Sequence, residues 1–274
     1  MNELIKRIGV ALIGIPLLVG LTYLGGWYFF GLIVVIGLVS QWEFYQIQRI
    51  KGYHPQNFSG LFFGFLILLD IQTQSWILAA NILVIAIIVI SVAELFRKHK
   101  DVSANIGLTL LGIFYIPTLL GALLFTRVFV NSVFPEIPEA GFRFILLHFF
   151  TIWTCDTFAY GFGTFLGRHP LYKKVSPNKS VEGFIAGIMG SLLIYSIAKQ
   201  SGFLPINWTA AILFGLIVGV LGQVGDLVES WYKRDAGVKD SSTLLPGHGG
   251  MLDRFDSIIF TSPLMLMLAW ILLQ

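Results

Sequence analysis

Cysteine is nearly absent: Cys155 stands alone in 274 residues, which excludes an internal disulfide framework and a cysteine-ligated metal cluster. Charge is scarce as well. Asp, Glu, Lys and Arg make up 12% of the chain and the formal net charge is +3, so bulk electrostatics gives a nucleic-acid partner no support. No internal repeat is visible, and with it the inverted-repeat plan common among secondary transporters is missing. Polar connections are short except over residues 131–143, 167–180 and 229–257. Functional groups should concentrate in those loops.

What is present is hydrocarbon. Hydrophobic residues are 56% of the chain and mean hydropathy is +0.80, values a water-soluble domain cannot carry without exposing large apolar patches. The 24 Phe, 7 Trp and 9 Tyr supply rings for the membrane interfaces. A spanning helix needs about 20 mostly apolar residues. That ruler reads nine spans: Ile8 to Leu24, Trp27 to Ile47, Gly60 to Ile71, Trp76 to Phe96, Ile106 to Phe125, Phe144 to Leu166, Val181 to Ala198, Thr209 to Val228, and Ile258 to Leu273. The expected fold class is an all-α polytopic membrane protein. Its expected division is residues 1–143, five N-terminal spans, and residues 144–274, a catalytic region of four spans with cytoplasmic loops. Met1 to Arg7 carry the charge of a signal peptide, but no small-residue cleavage site precedes the next apolar segment, so the first span reads as retained.

Lys and Arg favour cytoplasmic loops, and nine spans with the N-terminus inside sort the cations cleanly. Lys6, Arg7, Arg49, Lys51, Arg97, Lys98, Lys100, Arg168, Lys173, Lys174, Lys179, Lys233, Arg234, Lys239 and Arg254 fall inside. Arg127, Arg143 and Lys199 fall outside. Losing one span would scramble the alternation. The small-residue pairs Gly183-x-x-x-Gly187 and Gly215-x-x-x-Gly219 read as close helix packing. Gly161-x-Gly163-x-x-x-Gly167 follows no strand and lies within a span, so the dinucleotide-loop reading fails its context test.

Ionisable groups inside spans are costly and count as functional-site hypotheses by default. Asp156 in the sixth span and Asp226 in the eighth both fall in the cytoplasmic half. Glu43 and Glu94 lie near cytoplasmic helix ends beside polar residues and read as structural. The ninth span is entered through Gly247-His248-Gly249-Gly250-Met251-Leu252-Asp253-Arg254-Phe255-Asp256. Carboxylates at i and i+3 share a helix face, so Asp253 and Asp256 are a candidate pair for a divalent cation. By itself the pair reads more readily as a helix cap and a first-turn acid. Its company shifts the balance: Asp226, Asp253 and Asp256 fall at one expected depth with Lys233, Arg234, Lys239 and Arg254 around them. Hard oxygen ligands with room for phosphate suit Mg²⁺, and glycines flanking His248 let the backbone approach an anion. His248 is assigned a non-covalent polar role. A second polar cluster, Lys173 to Glu182, enters the seventh span. There Ser180 or Asn178 caps a helix, or Asn178 and Lys179 wall the same anion site.

Ser230-Trp-Tyr-Lys233-Arg234-Asp-Ala-Gly-Val-Lys239-Asp240, followed by Pro246-Gly-His248-Gly249-Gly-Met-Leu-Asp253-Arg254-Phe-Asp256, resembles the signature of the phosphatidate cytidylyltransferases, or CDP-diacylglycerol synthases. The similarity extends through Asp156 to Tyr160, Ser176 to Gly183 and Gly225-Asp226, roughly the C-terminal half; the first half matches in hydropathy alone. The resemblance implies transfer of CMP from CTP to phosphatidate by a Mg²⁺-dependent inner-membrane enzyme, usually a homodimer, with a K⁺ ion beside the magnesium and the site facing the cytoplasm. It carries metal binding onto Asp226, Asp253 and Asp256, catalysis onto these with Lys239, Asp240 and His248, and substrate binding onto Asp156, Asn178, Lys179, Ser180, Ser230, Lys233, Arg234, Gly249 and Arg254. Two other classes stay open here: a CTP-dependent kinase of a lipid alcohol such as a polyprenol, and a transporter.

Overall fold

The computed structural model describes residues 3–75 and 77–274, and the side chains of all of these except 3–8 and 77–79. Trp76, the expected start of the fourth span, and Met1 and Asn2 lie outside the described residues; the side chains of Lys6 and Arg7 lie outside the described side chains. Nine helices are present among the described residues: α1 (Glu3–Leu24), α2 (Gly26–Ile50), α3 (Asn57–Thr73), α4 (Ile77–Leu95), α5 (Val102–Val133), α6 (Ala140–Leu166), α7 (Val181–Gln200), α8 (Trp208–Asp235) and α9 (Leu252–Leu272). Each expected span falls on one of them. The chain is an all-α polytopic membrane protein. By length and composition α2, α5, α7, α8 and α9 are able to cross a bilayer. Large apolar side chains stay exposed along the helices, among them Ile13, Trp27, Ile88 and Ile185, as a bundle facing acyl chains requires.

Two differences from the hydropathy reading have simple causes. α3 runs to Asn57 and Thr73 because its polar ends lie beyond any apolar window. The loop before α7 contains an antiparallel hairpin of β1 (Pro170–Tyr172) and β2 (Ser176–Ser180). Its strands are too short to show as alternation, but Val175 is buried at the turn, where its N–H donates to the Tyr172 carbonyl.

Two compact units form, one of Met1–Leu124 with Tyr232–Phe255, the other of Phe125–Trp231 with Asp256–Gln274. In the first, Phe63, Ile67, Ala86, Ile90 and Ile113 make an apolar core joining α3, α4 and α5. Polar side chains stitch helices where apolar packing alone gives no drive for association in lipid. The Tyr45 hydroxyl donates to the Thr109 carbonyl at 2.7 Å and accepts from Gln41, whose amide also reaches the Gly60 carbonyl at 2.9 Å. Buried Glu94 accepts from Gln56, Asn105 and Arg97. Phe44 of α2 packs edge-on against Tyr232 near the end of α8, ring centroids 5.4 Å apart, and Lys51 pairs with Asp235.

In the second unit small residues set the helix spacing. A Cβ on Gly183 would lie 2.6 Å from the Ala159 carbonyl, and one on Gly219 would lie 2.8 Å from Ile188 Cα. α6 and α8 therefore approach α7 backbone to backbone. Residues 161–166 of the glycine-rich stretch are helical within α6. α8 widens into a π-turn at Val218–Gly222, a feature frequent at functional sites. Its carbonyls are used: Gly219 accepts from the Gln223 side chain at 2.6 Å and Gly222 from Ser257 at 2.9 Å.

Candidate functional site

Just past the π-turn, α8 carries Asp226 and Glu229 one turn apart. α9 supplies Asp256. Carboxylate oxygens of the three lie within 4.8 Å of one another, with Glu229 and Asp256 buried. Carboxylates this close repel each other, and hard oxygen donors in such a group fit a divalent cation. Lys179 offsets part of the charge, its Nζ lying 2.6 Å from Asp226. The Ser230 hydroxyl donates to the other Asp226 oxygen at 3.2 Å, and the Ser257 N–H donates to Asp256 at 2.6 Å. Gly225 lets α9 come this near, since a Cβ there would lie 2.6 Å from Phe260 Cβ and 3.1 Å from the Asp256 carbonyl oxygen.

Asp226 also opens onto a cavity of about 590 Å³, whose walls include Asp156, Tyr160, Asn178, Lys179 and Gln223. The hairpin puts Asn178 and Lys179 there. Ser180, at the end of β2, caps α7 by accepting from the Gly183 N–H at 3.1 Å. Glu182 ties the start of the hairpin to α7 by accepting from the backbone of Arg168 and His169 and pairing with the His169 ring at 2.6 Å. The cavity lining thus combines one cation, Lys179, and the amides of Asn178 and Gln223 with the acids Asp156 and Asp226.

The glycine-rich loop belongs to the first unit. Gly247 and Gly249 have φ of 77° and 80°, conformations that strain a side chain carrying Cβ. They fold the loop back so that the Leu245 N–H meets the Gly249 carbonyl at 2.9 Å. The backbone of His248 donates to Leu245 and accepts from Arg254 Nε at 2.7 Å. The Asp253 carboxylate pairs with Lys233 at 2.6 Å and accepts from Ser241 and from the Gly250 N–H at 2.7 Å. Arg234 donates to the Val238 carbonyl, and Lys239 and Asp240 are exposed.

The expected site residues therefore gather in two groups. Asp156, Asn178, Lys179, Ser180, Asp226, Ser230 and Asp256 surround the acids and cavity of the second unit; Lys233, Arg234, Lys239, Asp240, His248, Gly249, Asp253 and Arg254 belong to the loop of the first. The acid cluster holds Glu229 beside Asp226 and Asp256, a residue absent from the expected metal set. Its signal was available, since Asp226-x-x-Glu229 repeats the spacing of Asp253-x-x-Asp256. Gln223, which lines the cavity, carried no such signal, and Glu43, which binds the loop, stood out as an acid within a span but read as structural.

Known proteins resemble this chain along nearly its whole length. The sequence model of the Cytidylyltransferase family matches residues 5–272. A phosphatidate cytidylyltransferase from Synechocystis sp. is 35% identical over 277 residues, covering 94% of this chain and 94% of that protein. Phosphatidate cytidylyltransferases of Staphylococcus epidermidis and Staphylococcus aureus are 46% identical over 132 residues and 48% identical over 134. Each of those two matches covers 48% of this chain and 51% of the relative.

Proposed function

The chain belongs to the cytidylyltransferase family, and from that premise we propose that it transfers CMP from CTP to phosphatidate, giving CDP-diacylglycerol and pyrophosphate. One observation carries the reading beyond kinship: Asp226 is shared by a three-carboxylate cluster and a cavity also lined by Asn178 and Lys179, whose Nζ lies 2.6 Å from Asp226. A site for a metal-bound polyphosphate needs that pairing.

In the reaction, a phosphate oxygen of phosphatidate attacks the α-phosphorus of CTP in line. The bond from that phosphorus to the bridging oxygen breaks, and its electron pair leaves on pyrophosphate. Phosphatidate is already anionic, so a strong general base is dispensable. The main barrier is repulsion between two polyanions, which positioning and fixed charge relieve. Asp226, Glu229 and Asp256 would hold Mg²⁺, which when bound neutralises triphosphate charge and the developing pyrophosphate. A K⁺ ion belongs to the same reading, with Asp156 as its candidate ligand. Lys179 and Asn178 take nucleotide or headgroup phosphate, and Ser230 orients Asp226. Ser180 supports them by fixing the hairpin to α7. Lys233, Arg234, Lys239 and Arg254 are assigned to charge neutralisation. Asp253 acts by holding Lys233, and Gly249 and the His248 backbone shape the loop that carries Asp240.

The cation distribution supports nine spans with the N-terminus inside and a site facing the cytoplasm, and the inner membrane belongs to the same reading through the family resemblance. A homodimer completes the reading. Purified protein given CTP, phosphatidate and Mg²⁺ should release pyrophosphate and CDP-lipid in equal amounts. CDP with a phosphorylated lipid alcohol would instead identify a CTP-dependent kinase, and solute transport without CTP turnover would identify a transporter.

A further inference from the structure

We propose that Glu43, in the N-terminal half of the chain, is the positioning residue that holds the glycine-rich loop and the start of α9 in working geometry. The role rests on the transfer activity proposed above. Glu43 sits in α2 and is wholly buried, a location that is costly for a carboxylate unless donors surround it. Four do. Oε1 accepts from Ser242 Oγ at 2.6 Å and the Met251 N–H at 2.9 Å; Oε2 accepts from Ser241 Oγ at 2.9 Å and the Leu252 N–H at 2.7 Å. Each oxygen thus takes one hydroxyl and one backbone amide.

The two amides lie at the start of α9, where unpaired N–H groups and the helix dipole favour an anion. A helix normally draws its cap from the residue just before it. Here that residue is Met251, with no side-chain acceptor, and a glutamate about 200 positions away takes its place. The fit is tight: a Cβ on Gly250 would lie 2.5 and 2.6 Å from the two Glu43 oxygens. Ser241 extends the connection, because while its hydroxyl serves Glu43 its backbone N–H donates to Asp253 at 3.0 Å, and Asp253 pairs with Lys233. Glu43 is therefore linked through Ser241 and Asp253 to a lysine that the mechanism assigns to the phosphates.

Glu43→Gln is the discriminating variant, since it keeps shape but turns an NH₂ toward either Met251 or Leu252, and a backbone N–H cannot accept. In full-length protein, kcat should fall by roughly 10- to 100-fold, the scale of a displaced active-site group. Amide hydrogen exchange should rise over residues 241–252 and stay unchanged elsewhere. Glu94→Gln is the control, an equally buried acid bonded to Gln56, Asn105 and Arg97 away from the loop; it should lower the thermal midpoint and leave kcat near wild type. Unchanged exchange over 241–252 in Glu43→Gln would overturn the role, as would a kcat loss matched by Glu94→Gln. If wild-type protein makes no CDP-lipid, the functional reading fails, while the exchange measurement still decides whether Glu43 holds the loop.

Discussion

Asp226 places a carboxyl group within a helix long and apolar enough to cross a membrane, and its neighbours make that tenable. Lys179 pairs with one oxygen, Ser230 donates to the other, and Glu229 and Asp256 complete a group suited to a divalent ion. Replacing Asp256 with Asn or Glu229 with Gln should raise the Mg²⁺ concentration for half-maximal activity by about tenfold or more. A Mg²⁺ titration of product formation checks this; near-normal activity of Asp256→Asn would sink the metal assignment. Asp253→Asn separates two roles that the sequence leaves merged. Its carboxylate binds Lys233, Ser241 and Gly250, so the variant should lose kcat with no change in the Mg²⁺ requirement. A shift parallel to that of Asp256→Asn would return Asp253 to the metal set. Ionisable residues in apolar runs stand out by cost alone, which made Asp156 and Asp226 legible. Which carboxylates face each other depends on helix rotation, which no run of letters displays.

Among the secondary-structure elements, small residues set the distances. Gly183 and Gly219 let α6, α7 and α8 meet at backbone contact, and the π-turn of α8 offers carbonyls to Gln223 and Ser257. Gly219→Val should drive its side chain into the Ile188 backbone and destabilise the bundle by about 1–3 kcal/mol, the usual cost of overpacking. Thermal unfolding in detergent reads it as a lowered midpoint. Gly161→Ala, by contrast, meets nothing within 4 Å and should leave the midpoint unchanged or slightly raised. The G-x-x-x-G spacings announced close packing, and the 20-residue ruler found each helix. The hairpin stayed hidden because its two short strands owe their pairing to Val175 and the anchoring of Glu182, not to an apolar alternation.

Across the molecule, the distribution of Lys and Arg makes a prediction about sidedness. With Cys155 buried at 2% exposure, native thiol labelling should be negligible. Lys100→Cys should react with an impermeant thiol reagent from the cytoplasmic face alone, and Glu136→Cys from the opposite face. Reaction of both from one side would overturn the nine-span arrangement. Membrane class and the segments bearing acids and cations were readable beforehand, because hydropathy and charge are properties of short windows that the bilayer reads locally. The partnerships were not readable. Glu229 joins Asp226 and Asp256, and Glu43 caps a helix about 200 positions away, because packing brings distant side chains together at particular rotations and depths. That depends on how small residues and polar pairs seat one helix on another, so folding decides which of the charged groups share a site.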